Sequence, residues 1–507
     1  MSNSLILKNS LILYLRLIVT SILGVITARI LLDSLGVEDF GLYAVVGGVV
    51  LMMNFLNTVL ISTSFRFIAF ELGKGDNGDP NKIFNISLLL HFSLGIVLLL
   101  LAETLGVYYI ENFLKVASGR LDAALLVFRL SVFAAIFSVI SIPFQGLITA
   151  KENFTVRALI EILTATGKLI AAYFLLSYNG DRLLLYAGLM LLVSVLAPIA
   201  FAVYCKIKYK VLTIFKISKD WKTYKEFFSF SSWIMFGATA SIGKVQGTAL
   251  IINSFFGTAL NASFGLANQL NTFVLMFAQN VGQAAIPQIT KSYSSGNIER
   301  TKTLSAVISK FSFFLMLIPA IPILLQTEFI LKLWLKELPE YIIVFSQLMI
   351  INALVDSSIS GLPAAIQATG KIKYIQITLS SIMLLALPVS YLFYYLAYPP
   401  QTILFVFIAV SLINSLIAQF FLKFTIGFEL MDYFKRVYLG IIGVLVLISP
   451  LYFLSDFFKN SLVGFLLFTV VSTFWILVSV LFVGLTKNEK NVMMEVVKKK
   501  YKKNIKK

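Results

Sequence analysis

Long apolar runs follow one another along the chain with only short polar breaks between them. An apolar run of about 18 or more residues is long enough to cross the ~30 Å hydrocarbon core of a bilayer as a helix. The pattern therefore predicts an all-α polytopic membrane protein with about fourteen transmembrane helices. Their approximate bounds are 11–32, 41–65, 83–108, 123–148, 156–177, 183–205, 230–256, 263–285, 303–325, 341–366, 374–397, 402–423, 437–457 and 461–485.

Lysine and arginine lie mainly on one side of these predicted helices. With the N-terminus inside, inward segments carry about thirty basic residues and outward loops about six. The positive-inside rule then places both termini in the cytoplasm. The densest basic segments are 206–225 and 487–507.

Composition supports the same class of protein. Of the 507 residues 59% are hydrophobic and only 13% are charged, with a mean hydropathy of +0.90. The net charge of +18 follows the topology, so we expect no nucleic-acid partner. Cys205 is the sole cysteine, which excludes an internal disulfide, and His91, the sole histidine, is expected to be a packing residue in an apolar helix.

The segment 210–230 has the pattern of a helix lying in the plane of the membrane surface. Its large apolar residues recur on one helical face and its lysines fall elsewhere. The two sets are Ile217, Trp221, Tyr224 and Phe228 on the apolar face and Lys219, Lys222 and Lys225 on the others. The position between the sixth and seventh predicted helices makes this segment a linker between two halves.

Two short matches indicate an internal duplication. Residues 143–151 and 363–371, each opening with proline and closing with lysine, are 220 residues apart, and both end a predicted span. The Phe-Gly-Leu sequences at 40–42 and 264–266 are separated by a similar distance. The duplication predicts two six-helix lobes related by a parallel repeat, plus two further helices. The predicted domains are an N-terminal lobe at 1–205, an amphipathic cytoplasmic linker at 206–229, a C-terminal lobe at 230–423, two additional helices at 424–485 and a polybasic cytoplasmic tail at 486–507.

These motifs resemble a known superfamily of transporters. The turn at 35–41 and the 143–151 sequence that closes the fourth span, on a two-lobe layout, are similar to those of the multidrug/oligosaccharidyl-lipid/polysaccharide exporter superfamily. The fourteen spans and the Ser-Thr-Ser-Phe-Arg sequence at 62–66 most resemble the polysaccharide branch, the Wzx-type O-antigen and capsule flippases. The resemblance implies alternating-access translocation of undecaprenyl-pyrophosphate-linked oligosaccharide repeat units to the periplasmic leaflet, for O-antigen, capsule or exopolysaccharide synthesis. Membrane lipids and the polysaccharide polymerase machinery are the other partners that it implies.

Charged side chains within predicted spans are candidate functional residues, because each costs ~3 kcal/mol to insert. Snorkelling or structural pairing is the alternative, strongest for residues near the cytoplasmic edge, such as Arg66 and Lys310, and for Arg29, four residues before Asp33. The basic candidates are Arg16, Arg29, Arg66, Arg129, Lys168, Lys244 and Lys310, and the acidic ones are Glu103, Glu161 and Asp356.

Polar side chains at helical spacing accompany several of these charges. One stripe, on span five, contains Arg157, Glu161, Thr164 and Lys168. A mostly uncharged stripe, on span eight, contains Asn268 and Gln279. Stripes of this kind line a helix partner or a water-filled cavity, and their occurrence in both halves favours a cavity between the lobes.

A cationic cavity lined by amides and hydroxyls suits a lipid-linked glycan. Arginine and lysine bind a pyrophosphate dianion, and neutral side chains such as Asn268 and Gln279 bind sugars. The resemblance further assigns headgroup binding to Arg16, Arg129, Lys168 and Lys244.

Energy for transport has two sources in this prediction. The membrane potential drives an anion outward, or a Na⁺ or H⁺ gradient is coupled through a carboxylate, for which Asp356 and Glu161 are the candidates. An internal ion pair with a nearby lysine is the competing interpretation of both carboxylates. No bound cofactor is expected.

Other functions remain open from sequence. A multidrug efflux antiporter of the same superfamily is the nearest, although organic cations favour acidic or aromatic cavities. A lipid II flippase is hard to separate from an O-antigen or capsule flippase. An enzyme, such as a polysaccharide polymerase or ligase, would handle the same substrate, but the sequence has no metal-ligand cluster, nucleophile–base pair or phosphate-binding glycine loop.

Overall fold

The computed structural model describes residues 3–112, 119–335, 337–458, 461–487 and 489–491. Within these ranges nearly every residue is helical and none forms a β-strand. The prediction of an all-α polytopic protein is confirmed.

Six helices make up the first part of the chain. A π-helical turn, Ala102–Gly106, joins the second of them to the third without a break. The helices are α1 (Asn3–Gly73), α2 (Pro80–Leu101), α3 (Val107–Asn112), α4 (Leu121–Ala150), α5 (Phe154–Phe174) and α6 (Arg182–Lys208).

The second part of the chain contains a further long helix and ten shorter ones. They are α7 (Trp221–Ser294), α8 (Ile298–Leu325), α9 (Thr327–Trp334), α10 (Ile342–Ser357), α11 (Leu362–Thr369), α12 (Lys373–Tyr395), α13 (Thr402–Ile426), α14 (Leu430–Tyr433), α15 (Leu439–Ile448), α16 (Leu451–Ser455) and α17 (Leu462–Ser479). Two more π-helical turns, Phe434–Tyr438 and Val480–Gly484, lie between α14 and α15 and after α17.

Acidic and amide side chains begin several of these helices. Asp79 accepts a hydrogen bond from the backbone N–H of Lys82, with Pro80 in the first turn of α2. Asp181 accepts from two N–H groups at the start of α6, and Asn297 from one at the start of α8. These side chains satisfy N–H groups that have no partner inside the helix, so the sequence specifies where the helices begin.

Each of the two longest helices is interrupted at one glycine. Gly36 in α1 has φ 73° and ψ 173°, and Gly257 in α7 has φ 83° and ψ −177°. This region of backbone conformation is open essentially only to glycine. The two breaks lie 221 residues apart, which adds a third match at nearly the offset of the repeat in the sequence.

Among the described residues, nine helices are long and apolar enough to cross a membrane. The number rises to eleven if each of two bent pairs forms one span, the first bent by 46° between α10 and α11 and the second by 43° before α16. The other three predicted spans, 41–65, 230–256 and 263–285, lie on helical segments of α1 and α7. The protein is therefore a multi-pass membrane protein.

The chain divides into two compact units. One is Leu11–Ser232, and the other consists of Met1–Ser10 together with Trp233–Lys507. Phe128 and Leu183 lie in the apolar core of the first unit, and Phe345 and Ile403 in that of the second. Many large apolar side chains are also exposed, Phe424 to 83% for example. In a chain with this many apolar helices such exposure is the expected surface toward lipid.

Candidate functional site

Two arginines of the Leu11–Ser232 unit share one carboxylate. Arg16 on α1 donates to Glu161 on α5, with 2.5 Å between Nη1 and Oε2. Arg157, one turn before Glu161, donates from Nε to the other carboxylate oxygen at 2.9 Å. All three side chains are mostly buried, at 14% exposure for Arg16, 16% for Arg157 and 28% for Glu161. The cluster carries two positive charges and one negative charge, so it is a net cationic site.

The position of this arginine cluster follows from two features of α5. Arg157 and Glu161 are four residues apart, the spacing that places two side chains on the same face of a helix. The Arg157 Nη1 also donates to the hydroxyl of Thr149, near the end of α4, at 3.3 Å. The link from Arg16 on α1, 145 residues away in sequence, comes from tertiary packing alone.

Lys168 lies on α5 two turns beyond Glu161. Its side chain is half-buried, and within the described part of the chain it makes no hydrogen bond or ion pair. The predicted stripe on α5 is therefore present as one helix bearing Arg157, Glu161 and Lys168. Thr164, its remaining member, donates its hydroxyl to the helix backbone at Ile160.

A second charged cluster lies in the unit that contains the C-terminal half. Lys244 on α7 places its ammonium 4.0 Å from the ring centre of Phe407 on α13. Asp356 on α10 is exposed and lies near enough to influence Lys244 electrostatically, but within the described residues the two side chains form no ion pair. Asn352, one turn before Asp356, donates to its carboxylate at 3.2 Å and accepts a hydrogen bond from Ser411 on α13 at 3.0 Å. This lysine–aspartate cluster is electrically balanced, with one charge of each sign.

Arg129 and Arg29 occupy more exposed positions. Arg129 on α4 forms an ion pair with Glu103 in the π-helical turn at 3.1 Å, and both side chains are well exposed. Arg29 is exposed on α1, and among the described residues it forms no ion pair with Asp33, contrary to the helical pairing considered from their spacing. Neither residue is part of the arginine cluster or of the lysine–aspartate cluster.

Arg66 is buried among aromatic rings. Its guanidinium lies 4.7 Å from the ring centre of Phe67 and 5.0 Å from those of Phe70 and Phe230. Cation–π contacts of this kind stabilise a buried guanidinium. Arg66 thus connects the end of α1 to the first turns of α7.

Lys310 is also buried, and its charge is compensated. Its ammonium lies 2.7 Å from a carboxylate oxygen of Glu489, which follows the last described helix. The same oxygen accepts from the backbone N–H and the hydroxyl of Thr486. The lysine stem passes close to Gly440, where an added Cβ would lie 3.3 Å from it. The contacts of Lys310 join α8 to the C-terminal segment.

The amide stripe on α7 is described only in part. Asn268 is half-buried, and its carbonyl accepts a hydrogen bond from Thr272 at 2.8 Å. The side chain of Gln279 lies outside the described residues. The roles assigned to all these side chains from sequence stay predictions.

Sequence reasoning missed three members of the lysine–aspartate cluster. Asn352 had a signal that was available, since it stands four residues before Asp356 on the same helix. Ser411 also had one, since Ser411, Ser415 and Gln419 recur at four-residue spacing on α13. Phe407 had none, because it is one of many apolar residues on that helix. Within the described residues, no group of three or more His, Cys, Asp or Glu side chains is placed to hold a metal ion.

Solved structures of multidrug transporters share the fold of this chain. A MATE crystal structure in the bent conformation matches with a TM-score of 0.74 at 14% identity, covering 83% of this chain and 95% of its own. An outward-facing multidrug resistance MATE family transporter of the MOP superfamily matches with a TM-score of 0.72 at 14% identity, over 83% and 95% of the two chains. A MOP superfamily transporter from Pyrococcus furiosus Vc1, whose binding pocket is described as having reverse polarity, matches with a TM-score of 0.69 at 14% identity and the same coverage.

No curated protein sequence matches the chain. The sequence model of a family described as "Polysaccharide biosynthesis protein" matches residues 6–293. The family description names polysaccharide biosynthesis, and the fold is the one found in the MATE transporters. Since the match covers more than half of the 507 residues, the chain belongs to the polysaccharide biosynthesis protein family, on the fold of the multidrug/oligosaccharidyl-lipid/polysaccharide exporter superfamily.

Proposed function

We propose that this transporter is a flippase for undecaprenyl-pyrophosphate-linked oligosaccharide repeat units. It carries them by alternating access from the cytoplasmic to the periplasmic leaflet of the bacterial inner membrane, with both of its termini in the cytoplasm. Membership of a polysaccharide biosynthesis family supports a saccharide cargo. The polymerase machinery that consumes the repeat units is its expected partner.

The net cationic cluster of Arg16, Arg157 and Glu161 is the observation that carries this proposal. Glu161 stabilises two guanidinium groups in an apolar part of the chain, and yet leaves one positive charge uncompensated. A guanidinium has five N–H donors, so each arginine retains donors beyond those directed at Glu161. Such donors suit a pyrophosphate, which arginine binds through paired hydrogen bonds.

Lys168 extends this cationic surface along α5. A half-buried ammonium that makes no ion pair among the described residues is costly, and a ligand anion would compensate it. A pyrophosphate contacting the arginines and Lys168 would cross as a partly neutralised group, while the polyprenyl tail stays in lipid. The neutral amides of the protein, Asn268 among them, are suited to the sugars.

The lysine–aspartate cluster supports a role in energy coupling. Asp356 is held by Asn352 and opposed by Lys244, so protonation or cation binding at Asp356 would release Lys244 from its counter-ion. The membrane potential supplies a second source, about 2.3 kcal/mol per charge at roughly 100 mV. Either source would drive an anionic headgroup outward.

The experiment is deletion of the gene in its native host, followed by localisation of the lipid-linked repeat units. The proposal expects them to accumulate on the cytoplasmic leaflet. Wild-type protein should restore their transfer, whereas Arg16→Ala and Lys244→Ala should not. A suitable control is Lys332→Ala, which removes an exposed lysine paired with Glu328.

Two outcomes would overturn the proposal. Repeat units that reach the outer leaflet but stay unpolymerised would indicate a role in polymerisation or ligation. Unchanged lipid intermediates together with drug sensitivity would indicate multidrug efflux, the activity named for the MATE transporters of the same fold. The net positive charge of the arginine cluster argues against efflux of organic cations.

A further inference from the structure

The segment between α6 and α7 is held firmly against the rest of its unit. Asn81, near the start of α2, donates to the carbonyls of Val211 and Ile214 at 3.3 and 2.9 Å. One turn later, Asn85 donates to the same Ile214 carbonyl at 2.9 Å and accepts from the backbone N–H of Lys216 at 3.2 Å. Two adjacent amides therefore fix the backbone of this segment.

Two side-chain contacts reinforce this attachment. Lys82 forms an ion pair with Asp220 at 2.6 Å, just before α7 begins. Asn153, just before α5, donates to the hydroxyl of Tyr209, the first residue of the segment, at 3.5 Å, and to that of Tyr204 in α6 at 2.5 Å. The segment is thus attached to both α2 and α5, and its outward side chains are presented in a defined arrangement.

Those outward side chains are large and apolar. Apolar residues exposed close together in this way mark a surface for a membrane or a partner. They are Ile207 at 77%, Val211 at 73%, Phe215 at 58%, Ile217 at 69%, Trp221 at 79% and Phe228 at 68%. The rigid attachment means that the backbone contacts hold these residues outward, where only another phase or partner can cover them.

Lysines are interleaved with the apolar residues. The segment contains only two acidic residues, Asp220, which is paired with Lys82, and the exposed Glu226. The exposed lysines are Lys206, Lys208, Lys210, Lys216, Lys219, Lys222 and Lys225. A surface that combines aromatic and aliphatic residues with an excess of lysine matches the boundary of a membrane that contains anionic lipid.

We propose that residues 206–228 form a binding surface for anionic phospholipid headgroups of the cytoplasmic leaflet. The lysines contact lipid phosphates, while Phe215, Ile217 and Trp221 enter the boundary between headgroups and acyl chains. The surface is separate from the cargo site and does not depend on the identity of the cargo. Because its C-terminal end continues into α7, the lipid composition sets how firmly the start of that helix is held at the membrane surface.

The test uses the full-length protein with a fluorophore attached at Phe215→Cys, since the one native cysteine, Cys205, is buried. The protein is reconstituted in phosphatidylcholine alone or with about a quarter phosphatidylglycerol. Brominated lipids then report contact of the fluorophore with the bilayer. We expect stronger quenching in the anionic vesicles, and loss of that difference at high salt.

Matched lysine variants decide the result. The pair Lys219→Gln and Lys222→Gln should weaken the response to phosphatidylglycerol about fivefold or more, whereas Lys371→Gln with Lys435→Gln, two exposed lysines of the other unit, should leave it unchanged. Ile217→Cys provides a second labelling position if the first variant does not fold. Equal quenching in the two lipids, or an equal loss in both lysine pairs, would overturn the proposal.

Discussion

The two charged clusters differ in net charge. In the Leu11–Ser232 unit, Glu161 is shared by Arg16 and Arg157, which leaves one positive charge in excess. In the other unit, Lys244 and Asp356 offset each other, and amide and hydroxyl groups complete the cluster. The first cluster therefore fits the anionic headgroup of the proposed cargo, and the second fits the proposed coupling to a proton or cation.

The two units resemble each other more in their backbone than in the charged side chains that they carry. Gly36 and Gly257 interrupt the two longest helices with nearly the same dihedral angles. The difference in net charge between the two clusters therefore lies in side chains placed on similarly interrupted helices. Four changes would test this comparison of the two parts of the chain, and they follow in order of the expected effect.

Removing the shared carboxylate should have the largest effect. Glu161→Gln leaves Arg16 and Arg157 without their counter-ion, and we expect a loss of about 3 kcal/mol in the free energy of unfolding. Thermal unfolding of the purified protein measures it. Glu328→Gln breaks the exposed pair with Lys332 and should cost less than about 1 kcal/mol. Equal losses in both variants would remove the distinction between the arginine cluster and an ordinary surface pair.

The lysine–aspartate cluster should behave as a coupled pair. Lys244→Met and Asp356→Asn should each destabilise the protein, because each removes one partner of an electrostatic interaction between two apolar helices. The double variant should recover about 2 kcal/mol relative to the sum of the single ones. A double-mutant cycle of unfolding measures this coupling. Transport assays should show that the double variant no longer responds to an imposed ion gradient.

Additive effects at Lys244 and Asp356 would contradict the pairing. If the double variant still responded to the gradient, coupling would have to reside elsewhere. Glu161→Gln provides the comparison. The fraction of that variant that folds should still respond to the ion gradient.

Alanine substitution should destabilise the protein to a similar degree at the two glycine breaks. Gly36→Ala and Gly257→Ala place a Cβ on a backbone conformation that alanine rarely adopts, at an expected cost of about 1–3 kcal/mol each. No neighbouring atom lies within 4 Å of either added Cβ, so the cost comes from the backbone alone. Gly188→Ala is a control, because it too meets no atom within 4 Å and its φ is not positive. Unequal effects at Gly36 and Gly257 would indicate that the two breaks are not equivalent.

Acid should loosen the linker with the smallest effect of the four. The hydrogen bond from Lys82 holds the pKa of Asp220 well below its usual range. Because the folded-state pKa is depressed, the stabilisation is present above the unfolded pKa of about 4 and is lost as the pH falls through the lower, folded value. A fluorophore at residue 215 should therefore become more mobile in acid. In the Asp220→Asn variant the fluorophore should be mobile at every pH. If neither acid nor the substitution changes its mobility, the ion pair does not hold the linker.

Most of the correct predictions came from local patterns in the sequence, namely the lengths of apolar runs and the spacing of polar residues. The lengths of the apolar runs predicted an all-α membrane protein, and the four-residue spacing of Arg157 and Glu161 placed both on one face of α5. The same spacing would have found Asn352 beside Asp356. A single sequence is enough to detect these contacts, because residues four positions apart lie on the same face of a helix with 3.6 residues per turn.

What the sequence by itself determined is the set of membrane helices, their caps and the residues that bring charge into apolar segments. Only the tertiary structure decided which of those charges meet. Arg16 pairs with a carboxylate 145 residues away, and Lys310 with one 179 residues away. Apolar helices of similar composition can pack side by side in many orders, so hydropathy does not specify which buried charges become neighbours. Packing turned scattered charges into one cluster with excess positive charge and one that is balanced.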